Sequence, residues 1–91
     1  MSSRSVYEAN AQALFAGIQP RLSALAARAQ AASGAARAEG ERLLQAAQST
    51  HDEALHRFEL LKRSGEESWE SMKTTFETAW TELRHAVAPQ G

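Results

Sequence analysis

An apolar or small residue recurs every three or four positions along most of this chain. The series runs Ile18, Leu22, Leu25, Ala29, Ala32, Ala36, Gly40, Leu43, Ala47, Thr50, Ala54, Phe58 and Leu61. It continues through Gly65, Trp69, Met72, Phe76, Trp80, Leu83 and Val87, taking 19 steps over 69 residues. The mean step of about 3.6 residues is the α-helical repeat. A strand would need alternation with a period of two, and no segment offers it. The fold class is therefore all-α. Because the step exceeds the 3.5 of a strict heptad, the helices should be nearly straight rather than tightly supercoiled.

The stripe is uneven. It is strong near the start, with Val6, Tyr7, Leu14, Phe15, Ile18, Leu22 and Leu25, and richest from Trp69 to Val87. Between Ala26 and Gly40 it thins to alanine and glycine. Alanine buries little more than one methyl group, so the 43% hydrophobic content overstates the core available to 91 residues. Helices suffer least from this, since alanine favours the helix and lets helices approach closely. The thin centre is either such a close approach or a stretch held by local propensity. One domain, residues 1–91, is expected to form a helical hairpin or coiled coil.

The helix breakers decide between two architectures. Pro20 removes a helix hydrogen bond and crowds the preceding turn, predicting a kink or a helix start. Gly34 and Gly40 flank the helix-favouring Ala35-Ala36-Arg37-Ala38-Glu39. Read as continuous, this segment gives one long helix from about 4 to 63, kinked near Pro20. The clearest break is Lys62-Arg63-Ser64-Gly65-Glu66-Glu67. Its cations suit a helix C-terminus, and Ser64 with Glu67 fits a capping box opening a second helix from about 65 to 87, which Pro89 ends. These two would form an antiparallel hairpin, with the short helix covering only part of the long one. Dimerisation into a four-helix arrangement would cover the remainder. The alternative is a monomeric three-helix bundle with a second turn near Ser33-Gly34 and segments of about 4–32, 36–63 and 66–87.

Charge narrows the function classes. The formal net charge is −1, which weighs against nucleic-acid binding, since phosphate neutralisation needs concentrated basic charge. The distribution is asymmetric: Arg4, Arg21, Arg28 and Arg37 face only Glu8 through residue 37, whereas six basic and ten acidic residues follow. The halves could attract one another within a chain or between two copies. There is no cysteine, no apolar leader run and no stretch of about 20 apolar residues, so a soluble cytoplasmic protein is expected.

Two C-terminal segments are more specific. They are Leu60-Leu61-Lys62-Arg63-Ser64-Gly65-Glu66-Glu67-Ser68-Trp69-Glu70-Ser71-Met72-Lys73 and Phe76-Glu77-Thr78-Ala79-Trp80-Thr81-Glu82-Leu83. Together they resemble a family of small bacterial coiled-coil stress-response proteins of unknown mechanism. That family carries Ser/Ala-Gly-x-x-x-Trp-Glu-x-x-Lys and then Ala-Trp-x-x-Leu after a long charged helix. The resemblance covers about the last 30 residues; the first 60 match only in being helical and alanine-rich. Pro20, Gly34 and Gly40 depart from the family's uninterrupted helix. The resemblance implies a helical hairpin and a stress-linked role, and supplies neither substrate nor catalytic residue.

No residue pattern points to catalysis: Gly-x-Ser-x-Gly, a phosphate loop and His-Glu-x-x-His are all absent. Ser64 and Glu67 are explained by capping. His51 and His56 are five apart, off the i, i+4 spacing of two ligands on one helical face, and with His85 read as surface histidines; no metal or cofactor is expected. Trp69 and Trp80 could line an aromatic groove, but their helical spacing with Met72, Phe76 and Leu83 favours a hairpin core against Leu55, Phe58 and Leu61. Glu53–Arg57 and Glu59–Arg63 read as solvated i, i+4 pairs. The residues assigned to core or interaction are thus Leu14, Ile18, Leu22, Leu25, Leu55, Phe58, Leu61, Trp69, Met72, Phe76, Trp80 and Leu83. The expected function is that of a non-enzymatic structural or interaction protein, with a second copy or a partner helix as its ligand. A lipid surface, met by Leu14–Ala36 with Arg21, Arg28 and Arg37, is the second reading.

Overall fold

The computed structural model describes residues 3–87, and the expected stop at Pro89 lies outside them. Three helices make up nearly all of this span: α1 (Ser3–Ala31), α2 (Gly34–Arg63) and α3 (Trp69–Ala86). No strand occurs among the described residues. Residues 29 and 40 meet across α1 and α2, and Phe58 meets Phe76 across α2 and α3, so each successive pair is antiparallel. The bundle is 51 Å long and 20 Å across.

Of the two expected arrangements, the observed one has three helices. The long helix 4–63 is interrupted because Ser33 is extended, at φ −136° and ψ 164°, and Gly34 takes a φ of +61°. That left-handed conformation is open to glycine at little cost. The preceding turn closes on the hydrogen bond from Ala32 N to Arg28 O, 3.2 Å, leaving a two-residue reversal. Gly40, by contrast, stays helical. A methyl group there would come within 3.2 Å of both Cα and Cβ of Ala29. The thin centre of the stripe is therefore a close helix approach. Pro20 lies inside α1, which runs through it without starting anew.

The second turn also differs from expectation. Ser64 does not open α3; it closes α2, donating from Oγ to Leu61 O at 2.7 Å and from its backbone N–H to the same oxygen at 3.1 Å. Residues 66–68 form a turn, and α3 begins at Trp69 after Ser68. The capping box is lost because Ser64 satisfies a carbonyl of the preceding helix instead of an N–H of the next.

The helices are unequal, at 29, 30 and 18 residues. With Phe58 against Phe76, an antiparallel register sets Val87 near Ala47, and α1 passes that level near Leu22. Beyond it, the described bundle consists of α1 and α2 alone for on the order of 15–20 Å.

Two glycine substitutions should move stability in opposite directions. Gly34→Ala forces an L side chain into the left-handed region and should cost about 1–2 kcal/mol. Gly17→Ala, in the interior of α1 with nothing within 4 Å of the new methyl, should gain about 0.5–1 kcal/mol from helix propensity. Thermal melts of both variants, followed by circular dichroism, check the pair.

Candidate functional site

Rings link all three helices. Phe15 on α1 lies 5.6 Å from Phe58, 6.0 Å from Phe76, 5.1 Å from Trp80 and 5.7 Å from His51, between ring centroids. Around it are buried Ala11, Ile18, Ala47, Ala54, Leu61, Ala79, Leu83 and Val87, with Leu61 and Leu83 fully enclosed. Of the residues assigned to the core from sequence, Ile18, Phe58, Leu61, Phe76 and Leu83 are buried there. Leu22, Leu25, Trp69, Met72 and Trp80 pack against it half-buried. Leu14 and Leu55 do not belong to it: they are 50% and 40% exposed. Each neighbours a residue that takes the inward direction, Phe15 and Ala54, and successive helical residues lie about 100° apart. Phe15, Ala11, Ala47, Ala54 and Ala79 were not among the assigned core residues. A stripe position held by alanine is the signal that could have found most of them.

A second cluster closes the end where α2 meets α3. Arg4 Nη2 donates to the carbonyls of Leu61 at 3.2 Å, Lys62 at 3.1 Å and Ser64 at 2.6 Å. Leu61 and Lys62 lie in the last turn of α2, whose carbonyls have no i+4 N–H to accept from, and Ser64 follows the helix at the negative end of its dipole. Nε of Arg4 bonds Glu8 at 3.2 Å, and the guanidinium carbon lies 4.4 Å from the Trp69 ring centre. Arg4 thus joins the start of α1, the end of α2 and the start of α3. Tyr7 packs edge-on against Trp69 at 5.7 Å and donates its hydroxyl to Glu77 Oε2 at 2.8 Å. Burial, then the hydrogen bond to Glu77 and its charge, push the phenol well above its ordinary value of 10.

The polar groups elsewhere serve local structure. Glu53 accepts from Arg57 at 2.8 Å, as expected, but Glu59 pairs with Lys62 at 3.2 Å and not with Arg63. His51 meets Gln19 at 3.2 Å beside Phe15. Among the described residues no three His, Cys, Asp or Glu side chains are grouped to hold a metal. No helix of the described chain is long and apolar enough to cross a membrane.

The surface feature of most consequence lies beyond Val87. There α1 and α2 form a groove of about 440 Å³ lined by Leu25, Ala29, Ala32, Ala36, Gly40 and Leu43, with Arg28 on one wall and Glu39 on the other. It continues the seat on which α3 lies. Its floor is apolar and shallow, suited to the ridge of another helix. No family model, curated protein or solved structure matches the chain.

Arg4→Ala should lower stability by about 1–3 kcal/mol, since it strips a charged donor from three carbonyls. In a double-mutant cycle, Arg4→Ala and Trp69→Ala should show a coupling of about 0.5–2 kcal/mol, read from urea melts. For Tyr7, the raised native value means that the unfolded chain loses its proton first. The stabilisation is complete below about pH 10 and is lost as pH rises above it. Phenolate absorbance of this single tyrosine should titrate late in the native protein, and Tyr7→Phe should reduce the alkaline loss of stability.

Proposed function

We propose that this chain is a non-enzymatic helical interaction protein that self-associates through the far ends of α1 and α2. The observation that carries the reading is the groove beyond Val87, where the described bundle drops from three helices to two. A second copy fits it by charge as well as by shape. An isologous dimer places the same patch against itself, and when its two-fold axis runs parallel to the helices each wall meets the opposite wall of the other copy. With Arg28 on the α1 wall and Glu39 on the α2 wall, that arrangement sets each arginine against the other copy's glutamate, which is shared with Arg42 of its own helix. The contact zone is then a four-helix arrangement around alanine, glycine and leucine, and Gly40 keeps it narrow.

A partner helix of similar character would use the same seat. The stress-linked role implied by the C-terminal resemblance, and a cytoplasmic setting, are compatible with such an assembly unit. The lipid-surface reading has less to stand on. Ile18, Leu22 and Leu25 turn toward the bundle, leaving Val6 and Leu14 as the exposed large apolar residues of α1, eight positions apart.

Light scattering coupled to size exclusion over a range of concentrations tests the proposal. The expected result is a dimer that Arg28→Glu dissociates at least tenfold more readily and that Arg28→Glu combined with Glu39→Arg restores. A monomer at all concentrations, or a dimer insensitive to both changes, would overturn it.

A further inference from the structure

A second groove lies on the other side of Val87, between α1 and α3. Both helices pack closely on α2, but they meet one another through rings: Phe15 against Trp80 at 5.1 Å and Tyr7 against Trp69 at 5.7 Å. Rings hold the two helices apart, and at Gly17 nothing fills the gap on the outer side. A methyl group on Gly17 would meet no atom within 4 Å. The resulting groove, about 420 Å³, is lined by Ala13, Leu14, Gly17, Ile18, Trp80 and two arginines, Arg21 and Arg84. Its volume falls within the roughly 300–1,000 Å³ of small-molecule sites.

The positions of the arginines give the groove a direction. Arg21 follows Gly17 by four residues and Arg84 follows Trp80 by four, and α1 and α3 run parallel. Both cations therefore stand one helical turn beyond the apolar floor, at the same end. Among the described residues neither makes a hydrogen bond or ion pair, unlike Arg4, Arg37, Arg42 and Arg57. Two like charges on one rim repel, and an anion between them converts that repulsion into two charge-assisted hydrogen-bonding partners. Leu14, half exposed beside Phe15, supplies apolar wall that the core does not use.

We propose that this groove binds an amphiphilic anion: a carboxylate or phosphate head held between Arg21 and Arg84, with an apolar body along Leu14, Gly17 and Trp80. The same chemistry is offered by a free acyl carboxylate and by an anionic lipid in a bilayer. The site is separate from the self-association groove and does not depend on it.

The probes are monomeric dodecanoate, below its micelle concentration, and vesicles of phosphatidylglycerol. Trp80 fluorescence, in a Trp69→Phe background, reports occupancy. Saturable binding of dodecanoate is expected, at least tenfold tighter than that of dodecanol or dodecyltrimethylammonium. Arg21→Gln with Arg84→Gln should weaken it at least tenfold. Gly17→Leu should fill the groove and abolish binding while the helical signal is retained and the melting temperature does not fall, which separates occlusion from unfolding. Vesicle binding that the same substitutions remove would identify a bilayer lipid as the source, and monomer binding a free anion; either supports the proposal. Failure to bind in both forms, or binding insensitive to Gly17→Leu and to the arginine changes, would overturn it.

Discussion

The three helices share one core because Phe15 reaches rings on both of the others. Alanines at positions 47, 54 and 79 let α1 and α3 settle closely on α2, where there is little side chain to keep them off. Between α1 and α3 the relation is reversed, and contact is made by Phe15, Trp80, Tyr7 and Trp69. The cross-section is therefore unequal: two tight seams and one wide seam filled by rings. Everything that distinguishes this bundle follows from that inequality and from the shortness of α3. The wide seam leaves the groove at Gly17, and the short helix leaves the groove at Ala29 and Gly40.

The helical periodicity was legible because it depends on local geometry alone, and it located the buried Ile18, Phe58, Leu61, Phe76 and Leu83 correctly. The break at Ser33-Gly34 was not decidable from sequence. Alanine and glycine around it allow both a continuous helix and a reversal, and the choice is made by α1 packing back on α2 through Ala29 and Gly40. Ser64 carried an equally double signal, since a serine hydroxyl can accept from a following N–H or donate to a preceding carbonyl. The capping box followed the first possibility, whereas the folded chain uses the second. Leu14 and Leu55 were assigned inward by their hydrophobicity, but a helix offers one inward direction, and their neighbours hold it. Arg4 gave no signal at all: its acceptors lie 57 to 60 residues away.

The charge asymmetry between the two halves takes on spatial meaning in the fold. Arg21 and Arg84 come from opposite halves of the sequence and flank one groove. Arg28 and Glu39 straddle the reversal and wall another. Neither pairing follows from net charge, which is near zero. What matters is which charges lack a partner inside the chain and what kind of floor lies between them. Arg21, Arg84 and Arg28 have no such partner among the described residues, whereas Glu39 is already paired with Arg42 on its own helix. The threonine-rich groove between α2 and α3 differs. There Glu53 and Arg57 already pair, and Thr74, Thr75 and Thr78 bond their own helix.

The clasp made by Arg4 also has a temporal side. A guanidinium near the start of the chain finds its acceptors only after α2 has ended at Arg63 and the chain has turned at Ser64. During synthesis the first helix therefore emerges without the contact that anchors its beginning, and stays without it until residues 61–64 have followed. The α2–α3 reversal, built from neighbouring residues, closes with little loop entropy, while the Arg4 contact spans about two-thirds of the chain. Assembly in that order makes residue 4 a latch: it registers that the downstream turn has formed, and a chain stalled or cut before that point has nothing for it to grip.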